Sequence, residues 1–174
     1  MSTNDGESSE DIQRQLDQIE AALTLPQSKQ YFKDTVRKMG ALKALEQFQS
    51  EAARSVMVNP RIQEIRQELE LGLNIEGSPT VALIITNIPG IEGEYQGVSG
   101  RFEANVVSDL KLGAVSFTHA EGRALAKLAN EMKVRNITGG EATLYVDKPL
   151  CNYCQKVVFS ITRQYGVKLT IISP

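Results

Sequence analysis

The sequence predicts an α/β fold with a mixed sheet, preceded by a helical region, and three observations carry that expectation. Apolar residues recur at steps of three and four through the N-terminal part, the signature of amphipathic helices. A break at NIEGSPT then opens a stretch of β-branched and glycine-bounded runs. These runs alternate with two further helical patterns, in the order strand, strand, helix, strand, helix, strand, which argues for a layered α/β sandwich.

Residues 1–9 are polar and acidic and read as a disordered leader, followed by a helical region over 10–74 and an α/β domain over 75–174. EDIQRQLDQIEAALTL places Ile12, Leu16, Ile19 and Leu23 on one stripe, with Ser8 or Ser9 positioned to cap it. QYFKDTVRKMGALKALEQFQSEAAR carries the spacing on through Phe32, Val36, Met39, Leu42, Leu45 and Phe48, as one helix. NPRIQEIRQELEL adds another, with Asn59 as cap and Pro60 at its first position. These stripes need a partner, which could be each other, the C-terminal domain or another molecule.

TVALIITNI is a continuous apolar run suited to a buried central strand. GIEGEYQGVSGRFE reads as a turn and a twisted strand through Tyr95 to Phe102, while NVVSDLKLGAVS fits either a short strand or a loop. Ala120, Ala124, Leu125, Leu128, Ala129 and Met132 mark a helix in THAEGRALAKLANEMK. EATLYVD is a strand, CNYCQKVVFSITRQYG a helix closed by Gly166, and VKLTIIS a last strand.

A chain of 174 residues is long enough to fold without a disulfide or a metal. It holds no apolar run of membrane-spanning length, so no membrane span is expected. Its N-terminus lacks the pattern of a signal peptide, and export by the general secretory route is not expected. The net charge is −2, but from Thr118 onward the balance is +4, against −6 before it. The weakly basic half is also the half with the rare residues. A solvated surface suffices to explain that balance.

Those rare residues are one histidine and two cysteines. His119 and Glu121 fall on the first turn of one expected helix, and Cys151 and Cys154 on the first turn of the next. Each alone has an ordinary reading: a surface or core histidine, half a zinc ribbon, a redox pair. Together they look different. An i, i+3 cysteine pair lies on one helix face. Both helices follow strands of one sheet, so their N-termini open at the same edge, where the helix dipoles favour thiolate and hydroxide. One imidazole and two thiolates make three zinc ligands and leave the fourth position open, as in catalytic zinc sites. Water there loses a proton near neutral pH, and Glu121 is placed to shuttle it. A structural zinc would need a fourth ligand, for which Asp147 is the carboxylate to hand.

The spacing H-x-E followed by C-x-x-C resembles the cytidine deaminase-like superfamily. FTHAEGRALAKLANEM, ATLYVDKPLCNYC and YGVKLTIISP look like the deaminase domains that end bacterial polymorphic toxins, a group that includes enzymes acting on cytosine in DNA. The likeness covers roughly a third of the chain. It implies a three-layer fold with a mixed central sheet flanked by helices and Zn2+ held by His119, Cys151 and Cys154. It further implies Glu121 as proton shuttle and the backbone around Ala120 reading the base. One departure stands out: the superfamily has proline directly before the first cysteine, and here Leu150 intervenes between Pro149 and Cys151.

Phe117 and Tyr153 could each stack on a flipped-out base, with core packing the alternative. Asn87 and Asn105 could hydrogen-bond sugar or base, with turn formation the alternative. Lys148, Lys156 and Arg163 could touch phosphates or be plain solvated charge. The expected function is zinc-dependent hydrolytic deamination of cytosine to uracil in DNA, single-stranded by preference. The resemblance implies an effector delivered into the cytoplasm of a target cell and a cognate immunity protein as partner. RNA, free nucleoside or adenine is the alternative substrate. A non-enzymatic zinc domain with a partner-binding helical module is the alternative class.

Overall fold

A computed structural model of the chain describes residues 8–111, 118–150, 156 and 158–174. The protein is mixed α/β, with six α-helices and a four-stranded mixed sheet among the described residues. It divides into two compact units. One runs up to Met57 and takes in Gln63–Ser78; the other is Val58–Ile62 with Pro79–Pro174.

The first unit is helical. α1 (Ser9–Ala22) starts at Ser8, whose hydroxyl accepts from the Asp11 N–H. α2 (Pro26–Met39) and α3 (Ala41–Val58) are separate helices, which corrects the single helix expected there. Gly40 divides them at φ 83°, a backbone region that only glycine enters cheaply. It serves both neighbours, donating its N–H to Val36 and accepting from the Ala44 N–H through its carbonyl. Met39 and Leu42, on either side of the break, are exposed instead of continuing the stripe. α4 (Pro60–Glu68), whose residues up to Ile62 count with the second unit and the rest with the first, is capped by the Asn59 carboxamide, which accepts from the Arg61 N–H at 2.8 Å. Leu16, Leu23, Phe32, Leu45, Phe48 and Ile75 form this unit's core, with the Phe32 and Phe48 rings stacked at 5.1 Å.

The second unit is built on the sheet. β1 (Val81–Thr86) is its buried centre, flanked by β2 (Gly93–Val98) and β3 (Glu141–Val146), both antiparallel to it. β4 (Lys168–Ile172) adds parallel to β3, giving the order β2-β1-β3-β4. A single 3₁₀ turn, Gly100–Phe102, follows β2, so the extended stretch ends at Val98, short of Phe102. The described part of NVVSDLKLGAVS, residues 105–111, holds no strand.

α5 (Ala120–Val134) packs on β2 and β1. α6 (Ser160–Tyr165) ends at Gly166, left-handed at φ 71°. Lys156 and Val158, just before it, are helical as well. Ala124, Leu125, Leu128, Ala129 and Met132 of α5 share one core with Val158, Ile161, Ala82, Ile84 and Leu144. All six apolar positions read as the helix stripe, Ala120 included, are buried. Among the described residues, no helix is long and apolar enough to cross a membrane.

Candidate functional site

The sheet register brings the C-terminal ends of β2 and β3 to one edge. Gly97 of β2 is paired with Ala82 of β1, and Ala82 with Val146 of β3, so the three lie in one row. β2 and β3 run in the same direction, and each ends at this row or one residue beyond it. The chain leaving β2 leads to His119, and the chain leaving β3 leads to Cys151. Two strand spacings separate the exits, about 10 Å.

α5 is pressed onto this row at its first turn. A Cβ on Gly97 would lie 2.1 Å from the Ala120 carbonyl oxygen and 2.8 Å from the Ala124 nitrogen. Real atoms do not approach so closely, so β2 can meet the helix only because this residue is glycine. Ala82, Ala120 and Ala124, small residues in the same core, suit the close approach.

His119 is the N-cap residue of α5, with extended backbone at φ −89° and ψ 148°. Its carbonyl accepts the first helical bond from Arg123, while its side chain makes no capping hydrogen bond. The half-buried imidazole is thus not occupied in closing the helix end. Glu121, two residues on in the first turn, is 4 % exposed. It forms no hydrogen bond or ion pair with a described residue. A buried carboxylate is costly unless paired, and here the positive end of the helix dipole is the stabilising feature at hand.

On the other side, Asp147 is fully buried and clasps the start of β1. Its carboxylate accepts from the Val81 N–H at 3.0 Å, and its own N–H donates to the Val81 carbonyl. The residue weighed above as a fourth ligand is therefore engaged in holding the sheet edge. Leu150 packs against the core, so the residue that departs from the superfamily pattern anchors the chain just before Cys151. Cys151, Tyr153, Cys154 and Phe117 lie outside the described residues. Among the described residues, no cluster of three His, Cys, Asp or Glu forms a metal site, and His119 is the one expected ligand of the three in that set.

Asn105 is exposed, and its side-chain oxygen accepts from the Arg123 guanidinium at 3.0 Å. Arg123 is the residue that sequence reading missed. It is 3 % exposed and also donates to the Val98 and Gly100 carbonyls, both at 2.6 Å. Burial lowers the pKa of its guanidinium from the ordinary value, with the Glu103 charge acting in the opposite direction. Asn87, Lys156 and Arg163 are exposed, and Lys148 is half-buried.

A hollow of about 480 Å³ lies on the other face of the sheet, against Ile85, Asn87, Thr143, Tyr145 and Thr170. It contains neither His119 nor Glu121, and the charged residues of its lining, Glu141 and Lys168, lie 3.9 Å from each other. Chemically, the N-terminus of α5 is the better endowed place, with an imidazole and a buried carboxylate two residues apart.

Comparison with known protein families, with curated proteins and with solved structures finds no match to the chain.

Proposed function

We propose that the chain is a zinc-dependent deaminase that hydrolyses cytosine to uracil in DNA, with single strands preferred. The observation that carries this reading is Glu121, a carboxylate buried in the first turn of α5 beside His119 with no ion-pair partner among the described residues. A first-turn carboxylate that served only the helix dipole would do so from the surface, without the cost of burial. The donor set fits zinc: His119, Cys151 and Cys154 supply one imidazole and two thiolates, which leaves one position open. Zinc held there supplies a water acidified to near neutral pKa.

Glu121 does the proton work. Its carboxylate takes a proton from the attacking water, delivers it to the ring nitrogen N3 of cytosine, and passes a second to the departing amine. Water adds at C4, the exocyclic C–N bond breaks, and the products are uracil and ammonia. The first-turn backbone around Ala120, pressed on Gly97, forms a fixed edge against which the base can be read. Phe117 and Tyr153 are the aromatic residues for stacking, and Asn105 the polar one. A base already unpaired saves the few kcal/mol of flipping it from a duplex, which favours single strands. The three-layer cytidine deaminase-like architecture belongs to the same proposal. So do a role as a bacterial toxin delivered into a target cell and a cognate immunity protein.

The test is direct. Zinc-loaded wild type should convert cytosine to uracil in a single-stranded oligonucleotide, and Glu121→Ala should lose that activity by at least about a thousandfold. Zinc content should be equal in the two proteins. If the wild type leaves cytosine intact in single-stranded DNA, duplex DNA, RNA and nucleoside alike, the proposal is wrong. Sequencing DNA from cells that express the chain would read base, polymer and neighbouring-base preference together.

A further inference from the structure

Arg123 ties the segment after β2 to the site end of α5. Along the helix, Arg123, Lys127, Asn130 and Lys133 form a ladder, and each rung holds a part of residues 96–109. Arg123 holds the Val98 and Gly100 carbonyls and the Asn105 side chain. Lys127, one turn on, holds the Gln96 carbonyl and the Glu103 carboxylate, whose other oxygen accepts from the Val98 N–H. Asn130 donates to the Val107 carbonyl at 2.7 Å, and Lys133 lies 3.6 Å from the Asp109 carboxylate.

The ladder gives the segment a direction. Its Asp109 end is beside the C-terminal turn of α5, and its Asn105 side chain is held by Arg123, four residues after His119 along the chain. Asn105 is exposed, and with its oxygen turned to Arg123 its NH₂ is left to donate outward. An NH₂ donor selects acceptor oxygens, such as those of a sugar or a phosphate.

We propose that Arg123 is a positioning residue: by holding the Asn105 oxygen, it presents the Asn105 NH₂ as a fixed donor to an acceptor oxygen on the nucleotide that carries the target base. The inference rests on the deaminase reading of the same site. It adds a buried arginine that touches neither substrate nor metal.

Asn105→Asp separates this role from a structural one, because aspartate still accepts from Arg123 but presents no donor. With a single-stranded DNA oligonucleotide containing one cytosine, Asn105→Asp should raise KM about tenfold, the worth of one hydrogen bond to a charged or strongly polar group. Its kcat should stay within about threefold, with thermal stability and zinc content held. Arg123→Lys, whose point-like ammonium lacks the planar fork that spans the Val98, Gly100 and Asn105 oxygens, should raise KM by a similar factor, and the double variant Arg123→Lys/Asn105→Asp should be no worse than either alone. Free 2′-deoxycytidine distinguishes the two sources of the oxygen: an equal KM rise assigns it to the sugar, a rise with the oligonucleotide alone to a phosphate. Unchanged KM in Asn105→Asp, or full additivity in the double variant, overturns the inference. Should Arg123→Lys fail to fold, Asn105→Asp decides alone. Oligonucleotide binding measured by fluorescence anisotropy keeps the two proposals apart. If the wild type binds without deaminating, the reaction is wrong and the Kd of Asn105→Asp still decides the role of Asn105. If it does neither, both are wrong.

Discussion

Glu121 is held where a carboxylate costs the fold. Buried with no cation beside it among the described residues, it forgoes solvation in return for its position next to His119. A group retained for chemistry should release stability when removed. Glu121→Ala should therefore unfold in urea at the same free energy as the metal-free wild type, or up to about 1 kcal/mol higher, although it deaminates nothing. A loss of 2 kcal/mol or more would mark Glu121 as a structural residue instead. Gly97 makes the opposite case. Gly97→Ala forces a methyl group against the Ala120 carbonyl, and overpacking of this kind costs about 1–3 kcal/mol. Because the displaced atoms belong to the turn that begins at His119, zinc affinity should fall together with urea stability. An alanine variant with both unchanged would refute the contact. His119, Glu121 and the two cysteines could be singled out from the sequence because each pair is local and its spacing has a chemical meaning, and of these the structure describes His119 and Glu121, at the start of α5. Gly97 and Arg123 could not be, since their partners lie 18 or more residues away and only the packing of β2 and the segment after it on α5 brings them together.

At the scale of elements, helices were legible wherever their apolar spacing ended with a recognisable signal. Ser8, Asn59 and Gly166 each close or open a helix as their residue types suggest. Gly40 was hidden because the spacing from Phe32 to Phe48 runs through it unbroken, and only its positive φ divides α2 from α3. The attachment of α6 was also invisible. Tyr165 donates to the Asp109 carboxylate at 2.5 Å, and Gln164 donates to the Asp109 carbonyl at 2.9 Å, which fixes the segment after β2 to a helix far along the chain. Burial first, and then Asp109, push the Tyr165 hydroxyl up to about 12. An unfolded tyrosine titrates near 10. Between those values the unfolded chain releases a proton that the folded chain keeps, so the contribution is complete below about pH 10 and is lost as pH rises toward 12. Urea unfolding at pH 8 should put Tyr165→Phe about 1 kcal/mol or more below the wild type. At pH 11 that gap should narrow. A gap independent of pH would show that the phenol does not titrate with folding.

Across the whole molecule, charge is the property the sequence expressed most directly, and it limits how the proposed nucleic-acid substrate could be held. The chain carries a net −2, and its basic excess of +4 is confined to the part from Thr118 onward. In that part, the cations of α5 point to the protein itself: Arg123 and Lys127 hold the segment after β2, and Lys133 faces Asp109. Lys168 is 3.9 Å from Glu141, a pair exposed enough to be screened. Few cations are left to neutralise phosphates, with Lys156 and Arg163 the exposed ones among those singled out from the sequence. Binding would then depend on the base and its nucleotide more than on a long electrostatic track. Each phosphate neutralised on a single strand contributes about −0.7 to the slope of log K against log salt. Two to four such contacts give a slope of roughly −1.5 to −3, so raising salt from 50 to 200 mM should weaken oligonucleotide binding about ten- to sixtyfold. Anisotropy titrations across that range measure the slope directly. A value steeper than about −5 would mean that more cations face the strand than this distribution allows, and the grip would have to be redrawn as a charged groove.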